Sequence, residues 1–296
     1  MEELGCVLRT YQLSEDIAGN LLSALWSDIG KTFYTKHGWE PFPAFHISVP
    51  ARFSLRISHN LPRVKPLRAS DIEPFCAADE REMRRHFSTR PVSSPPAFAL
   101  LPDFQTISWH HARENFVARE LYGIEPEIKG GLVLGPPGQR VWCYWALMWQ
   151  GSSKRARKGN TLHILRLVME DAIGEQDLCP RTRDTPTDDA GENDSDGSWT
   201  DDSGINNLQQ QPNRRKAHVT AIEALLRTAQ THAKTWKMEN VQLWNPRPET
   251  VEAARRIDAH VKITERETQS IPSIKWFGNE KGVNWEWHGN EKYGWC

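Results

Sequence analysis

The order of apolar and polar residues in the first fifty positions predicts four short elements. Residues 1–12 carry apolar side chains at helical spacing, and residues 21–26 form an apolar run of strand length. A short helix is expected over residues 29–37, because Gly38 follows it and glycine suits the left-handed position that ends a helix. Residues 39–49 alternate and contain two prolines, which indicates an edge strand or an irregular strand.

The next hundred residues predict a linker, two helices and a hairpin. Residues 51–68 contain further prolines and are expected to form the linker. One helix is expected to start near Ser70, and a second one over residues 103–122 would be capped by Asp103. Two apolar stretches flank a Gly-Pro-Pro-Gly turn within residues 129–149, which predicts a β-hairpin.

The rest of the chain alternates strands and helices around an acidic insert. Residues 184–202 carry eight acidic residues and no basic ones, so we expect a disordered loop over about 180–213. The favoured interpretation is a tolerated surface insertion, and the alternative is a regulatory or partner-binding tail. The surrounding elements are a strand over residues 161–169, a helix over 219–236, a strand over 241–244, a helix over 249–257 and strand-like aromatic segments over 274–295.

Composition and charge exclude several classes of protein. The 296 residues carry a formal net charge of -1, which gives no overall attraction to nucleic acid or to an anionic membrane. No apolar run reaches the roughly 18 residues of a membrane span. The five cysteines are scattered without a CxxC pair, and the acidic N-terminus is not a secretory signal. We therefore expect a cytoplasmic protein with an α+β fold built on a mixed sheet, with neither nucleic acid nor membrane as a partner.

The segment WSDIGKTFYTKHGW, residues 26–39, resembles the last strand–helix unit of GNAT acetyltransferases. The common form of that unit is Asn-x-x-Ala-x-x-Phe-Tyr-x-x-x-Gly-Phe. Ser27 takes the Asn position, Gly30 takes the Ala position, and Phe33 and Tyr34 match the aromatic pair. The segments PFPAFHISVP, RASDIEPFCAADE, LLPDFQTISWHHARENFVARELYG, RVWCYW and NTLHILRLV extend the resemblance over nearly the whole chain apart from the acidic insert. The chain thus resembles the fungal lysine N-acetyltransferase family.

This resemblance implies transfer of an acetyl group from acetyl-CoA to the side-chain amine of free lysine. The amine must lose its proton before it attacks the thioester, because an ammonium group has no lone pair. Tyr34 would supply a proton to the CoA thiolate, and the alternative for this residue is a packing role beside Phe33. Ser27, Gly30 and Phe33 would line the pantetheine arm of acetyl-CoA. The expected partner is therefore a small amine substrate, lysine.

One feature of GNAT enzymes is absent from the sequence, namely the loop that holds the pyrophosphate of the cofactor. Its Arg/Gln-x-x-Gly-x-Gly/Ala signature presents backbone N–H groups at a helix N-terminus to the anion. None of the 19 glycines has an Arg or Gln three positions before it. We therefore expect residues 1–50 to be the C-terminal part of a truncated GNAT domain and residues 69–296 to be a second, GNAT-like domain. The alternative is an inactive remnant or binding module without affinity for acetyl-CoA.

Three other groups of residues could bind a ligand, and each has a simpler explanation. His110, His111 and Glu114 could suggest a metal site, but no further spaced His or Cys set accompanies them, so a structural or surface role and no metal are expected. The basic residues in 154–158 lack interleaved aromatic side chains for nucleic-acid binding. The tryptophans of residues 276–295 could stack on a ligand, although large aromatic side chains on strands usually lie in a core.

Overall fold

The computed structural model describes residues 22–52, 60–91, 93–135, 138–150, 158–170, 203–277 and 285–295. The helix expected over residues 1–12, the greater part of the acidic insert and most of the basic segment 154–158 lie outside these ranges. Within them, no helix is long and apolar enough to cross a membrane.

A seven-stranded mixed sheet forms the centre of the fold, in the strand order β10-β3-β9-β8-β7-β6-β4. Neighbouring strands are antiparallel except β8 and β9, which are parallel. The strands are β3 (Phe45–Pro50), β4 (Val64–Arg68), β6 (Ile128–Val133), β7 (Val141–Met148), β8 (Thr161–Met169), β9 (Asn240–Trp244) and β10 (Thr264–Glu265).

Helices cover both faces of this sheet, because its strands carry apolar side chains on both sides. The described helices are α1 (Lys31–Thr35), α2 (Ala69–Ser88), α3 (Phe104–Tyr122), α4 (Ser203–Thr235) and α5 (Pro248–Ile257). One face packs its apolar side chains against α4 and α5, and the other packs against α2 and α3. All eight residues of β7 are buried, which places this strand at the middle of both layers. Helices on both faces of a mixed sheet confirm the α+β class.

Two smaller sheets join the beginning of the described chain to its end. Strands β1 (Leu22–Ser27) and β2 (Glu40–Pro41) lie on either side of β11 (Ile271–Trp276) in a three-stranded antiparallel sheet. A parallel pair forms between β5 (Ala97–Ala99) and β12 (Glu286–His288), and a short 3-10 helix follows over Lys292–Gly294.

Most of the expected elements are confirmed. Strand β8 has the bounds expected from its apolar pattern, and α3 begins after Asp103, whose side chain accepts a hydrogen bond from the Thr106 N–H at 2.7 Å. The hairpin is formed by β6 and β7. Gly130 and Gly131 lie in β6, and a Cβ atom on Gly130 would collide with the backbone oxygen of Cys143 on β7.

Three expectations about individual elements are wrong. The segment expected to be a linker contains β4 at its end. This strand forms despite Pro66, because it pairs with β6. The C-terminal end of the expected disordered loop is helical from residue 203, since the acidic run stops at 202 and helix-forming glutamines follow. The segment 39–49 splits into β2, an edge strand, and β3, which lies inside the large sheet. The division into domains at residues 50 and 69 stays a prediction.

Candidate functional site

The pairing of the parallel strands β8 and β9 stops where β9 ends, and a cleft lined by later residues of β8 lies beyond this point. They pair from Thr161 and Asn240 as far as Ile164 and Leu243. Beyond this point β9 ends at Trp244, whereas β8 continues to Met169. The carboxyl ends of parallel strands are where α/β proteins commonly bind ligands, so this cleft is a candidate ligand site.

Arg166 of β8 lies at the centre of this cleft in a buried network of charges. Its guanidinium group donates hydrogen bonds of 2.9 and 2.8 Å to the two carboxylate oxygens of Asp79 on α2. A third bond, of 2.5 Å, reaches Oε1 of Glu291. The other oxygen of Glu291 accepts the Leu167 N–H at 3.3 Å, so this carboxylate lies against the part of β8 that β9 no longer covers.

The network contains one cation, Arg166, and two carboxylates, those of Asp79 and Glu291. Burial by itself would lower the pKa of the Arg166 guanidinium, but the carboxylates of Glu291 and Asp79 raise it well above its usual value. Burial raises the pKa of Glu291, and the positive charge of Arg166 opposes that shift. A buried bidentate pair of this kind fixes the position of its side chains, because loss of one partner would leave an uncompensated charge.

A cavity of about 140 Å³ opens beside the network. Groups of both signs surround it: Asp79, Glu82, His86, Arg166, Arg247 and His288. Burial lowers the pKa of His86, and the neighbouring His288 and Arg90 add to this shift. The rim is held by Arg90, which donates a hydrogen bond of 3.0 Å to Glu286. The arrangement suits a small molecule that carries both charges.

The four residues expected to contact acetyl-CoA lie on the segment from β1 to α1, outside the seven-stranded sheet that forms this cleft. Ser27 ends β1, and its hydroxyl oxygen accepts the Ile29 N–H at 3.1 Å. Gly30 precedes α1 with a φ of 87°, a left-handed conformation that glycine adopts without strain. The ring of Phe33 is 38% exposed and lies 5.1 Å from the ring of Tyr34. Their role in cofactor binding stays a prediction.

Tyr34, the expected proton donor, is half-buried on α1. Its ring lies 5.9 Å from that of the buried Trp39, in an edge-to-face arrangement. Its backbone oxygen accepts the N–H groups of His37 and Trp39, which closes the short helix. These contacts hold the ring in place whether or not it takes part in a reaction, so the packing alternative stays open.

The side chains that could have suggested a metal are engaged elsewhere. His110 Nε2 lies 2.8 Å from the backbone oxygen of Tyr293, and His111 Nε2 lies 3.1 Å from that of Trp145. Glu114 binds Lys129 at 2.5 Å. Across the described ranges there is no group of three or more His, Cys, Asp or Glu residues that could hold a metal ion.

Three tryptophans near the C-terminal end of the described chain, Trp276, Trp285 and Trp287, pack against other aromatic side chains. Trp276 and Trp285 have ring centroids 4.4 Å apart. Trp287 lies 5.0 Å from Trp26 and 4.9 Å from Phe98. This half-buried aromatic cluster joins the two small sheets. Trp285 and Trp287 also line a cavity of about 570 Å³, so the packing and ligand-stacking interpretations both stay open.

Sequence comparison places the chain in a family. A family model described as the LYC1 GNAT-like C-terminal domain matches residues 46–296. The chain belongs to this family. The LYC1-like match includes every strand of the seven-stranded sheet except the first residue of β3, together with the cleft between β8 and β9.

Two further comparisons complete the description of this LYC1-like chain. No curated protein matches it at a significant level. Among solved structures, it is similar to a GCN5-related N-acetyltransferase from Anabaena variabilis, with 12% sequence identity and a TM-score of 0.42. That similarity covers 92% of this chain and 48% of the other, so the chain spans about half the length of that protein.

Sequence reasoning missed the residues that fill the cleft. Asp79, Arg166 and Glu291 come from three distant parts of the chain and follow no motif. One signal was present, since Arg166, like His163, interrupts the apolar residues of β8. A charged residue in such a position needs a buried partner, but the sequence does not identify that partner.

Proposed function

We propose that this protein takes part in acetyl-CoA-dependent acetylation of the lysine side-chain amine, as a GNAT-like domain that binds the substrate. In this proposal it binds the amino acid and does not itself hold the cofactor. The observation that carries the proposal is the filled cleft, where Asp79 and Glu291 surround Arg166. The resemblance to lysine N-acetyltransferases supports the choice of substrate.

Two properties of the chain argue against a pyrophosphate site of its own. A pyrophosphate needs small residues that let backbone N–H groups approach it, and no glycine in the sequence lies in the required context. The segment between β8 and α4 instead carries the acidic run 184–202, which would repel an anion. On α4, Arg214 donates hydrogen bonds to the backbone oxygens of Gly138 and Glu170.

Lysine fits the cavity beside the cleft in its charge pattern. Free lysine carries a carboxylate and two amines, and the lining residues include both carboxylates and guanidinium groups. Charged groups of a ligand that leave water need partners of opposite sign. Because Asp79 already pairs with Arg166 and Glu82 with Arg85, a ligand in this cavity would share these groups.

A second candidate is a complete acetyltransferase that uses the segment around α1. The close placement of Ser27, Gly30, Phe33 and Tyr34 favours it. In that reaction the neutral amine attacks the thioester carbon, a C–N bond forms and the C–S bond breaks. Tyr34 would then give its proton to the departing thiolate, and the proton that the nitrogen loses as the amide forms would restore the phenol. The pantetheine arm would lie along the other three residues.

Calorimetric titration separates the two candidates. We expect lysine to bind this protein, and we expect no binding of acetyl-CoA or CoA in the micromolar range. Micromolar binding of either CoA compound would contradict the proposal and favour the second candidate.

An assay of thiol release then tests the second candidate directly. If acetyl-CoA and lysine give turnover, Tyr34→Phe should lower it by about a hundredfold, the size of a general-acid contribution. The matched control is Tyr122→Phe, which removes a buried hydroxyl on α3 that lacks a hydrogen-bond partner among the described residues. Equal rates for both variants would exclude Tyr34 as the acid.

A further inference from the structure

Arg266 is a buried cation for which the described residues provide no hydrogen-bond acceptor. It follows β10, and the residue is only 7% exposed. Its backbone N–H donates a hydrogen bond of 2.7 Å to the backbone oxygen of Ala44. The guanidinium carbon lies 3.5 Å from the centre of the Trp244 ring. All three nitrogens of the guanidinium group are buried and unpartnered. A guanidinium group has five N–H donors, so this is a large deficit.

The neighbouring acidic residues do not compensate for it. Glu265 and Glu267, on either side of Arg266 in the sequence, both bind Lys31, at 2.8 and 3.0 Å. Glu291 is taken by Arg166. The carboxylates nearest along the chain are therefore directed to other cations, and the charge of Arg266 is left without an opposite partner in the described part of the protein.

Three titratable groups near Arg266 are positively charged or neutral. Lys292 Nζ lies 4.6 Å from the centre of the Trp244 ring, within the same cluster. Burial lowers the pKa of His163 well below its usual value, and the charges of Lys292, His110 and Arg266 add to this. Burial and then Arg266 lower the pKa of His46. Nδ1 of both histidines is buried without a partner, so these rings provide further polar atoms.

We infer that Arg266 binds the carboxylate of an amino-acid ligand, with the indole ring of Trp244 stacked on the guanidinium group. A guanidinium group donates two parallel hydrogen bonds to a carboxylate, and this geometry satisfies buried donors better than water does. His46 is half-buried, so the cluster reaches the protein surface on this side. The inference rests on the proposed function, since it assigns the anchor for the carboxylate end of lysine. Arg266 does not line the cavity of about 140 Å³, so this anchor places the lysine carboxylate outside that cavity.

Three related ligands test which end of the amino acid is recognised. L-Lysine and 6-aminohexanoate carry a carboxylate, whereas 1,5-diaminopentane carries an amine at the same distance but no carboxylate. By calorimetric titration, the unaltered protein should bind the two carboxylates at least tenfold more tightly than the diamine. Arg266→Met should remove this preference. Arg256→Met is the matched control, because Arg256 pairs with Glu252 on α5 and should leave the preference unchanged.

Thermal unfolding gives a second readout that does not depend on catalysis. Without ligand, Arg266→Met should unfold at a higher temperature than the unaltered protein, because the substitution removes a buried, unpaired charge. Compared with an equal concentration of sodium chloride, sodium acetate should raise the unfolding temperature of the unaltered protein and leave that of Arg266→Met unchanged.

The outcomes separate this inference from the function on which it rests. If acetate and 6-aminohexanoate act through Arg266 but lysine does not bind, the carboxylate site stands and the proposed lysine substrate falls. If lysine and the diamine bind equally well, the carboxylate site is wrong while the lysine substrate survives. The inference is also overturned if Arg266→Met keeps the preference, or if it lowers the unfolding temperature without ligand and acetate has no effect on either protein.

Discussion

The buried ion pair between Lys129 and Glu114 allows the sharpest test of the packing described above. Lys129 lies on β6 and Glu114 on α3, and their side chains are 1% and 0% exposed. The Lys129 Nζ donates at 2.5 Å to one carboxylate oxygen, and the other oxygen accepts the Leu147 N–H at 2.8 Å. The pair therefore ties a helix to two strands of the large sheet.

Replacement of Lys129 by methionine would leave the Glu114 carboxylate buried without its cation. Removal of one partner of a buried pair costs about 3–5 kcal/mol, a large share of the roughly 5–15 kcal/mol that stabilises most domains. Burial raises the pKa of Glu114 to about 7 even though Lys129 opposes the shift. Without Lys129 the pKa would rise further, so the carboxyl group would be neutral in slightly acidic solution.

The loss of stability in Lys129→Met should therefore depend on pH. A carboxyl group with a raised pKa in the folded state stabilises the protein at low pH, and this contribution is lost as the pH rises through that pKa. We expect a loss of about 3–5 kcal/mol at pH 8. At pH 5.5 we expect a loss smaller by about 1.4 kcal/mol or more, which corresponds to one unit of pKa or more.

Urea unfolding followed by tryptophan fluorescence at the two pH values measures this difference. Arg119→Met is the control, because Arg119 pairs with Glu125 at the surface and should lose less than about 1 kcal/mol at either pH. The reasoning would be refuted by equal losses for Lys129→Met at both pH values, or by a loss no larger than that of the control.

Two further predictions concern single residues, His111 on α3 and Gly130 on β6. Burial lowers the pKa of His111 to about 3, so the folded state resists protonation and the unfolded state gains a proton below pH 6.5. When the pH falls from 6.5 to 5, His111→Gln should therefore lose about 2 kcal/mol less free energy of unfolding than the unaltered protein. Denaturant titrations at both pH values measure this loss, and an equal loss in the two proteins would contradict the prediction. Gly130→Ala would place a methyl group against the backbone oxygen of Cys143 and should cost about 3 kcal/mol or more. Gly123→Ala meets nothing within 4 Å and should cost only about 1 kcal/mol for its positive φ, so similar unfolding midpoints for the two variants would count against this contact.

The elements that the sequence predicts well are those whose signals are local. Strand β8 is a largely apolar run between turn residues. Asp103 marks the start of α3 through a hydrogen bond to the N–H of a residue only three positions further along. Strand β10 was missed because its two residues form a strand only through pairing with β3. Pairing across the sheet also explains β4, which local proline content conceals.

The candidate site was harder to predict because its residues act through partners that are distant in the chain. A guanidinium group at Arg166 signals a need for carboxylates, but nothing in the sequence distinguishes Asp79 and Glu291 from the other acidic residues. Arg266 is less visible still, since its significance lies in the partners that it lacks among the described residues. By contrast, the proximity of Ser27 and Tyr34 follows directly from their closeness in sequence.

The pairing of β1 with β11 joins the two ends of the described chain and has a consequence for biosynthesis. On the ribosome, β1 to β3 emerge long before β9 and β11, beside which they lie. The entropy of closing such long loops slows folding after release. The nascent chain therefore carries unsatisfied strand edges for most of its translation, and its yield in cells should depend on chaperones and on the temperature of expression.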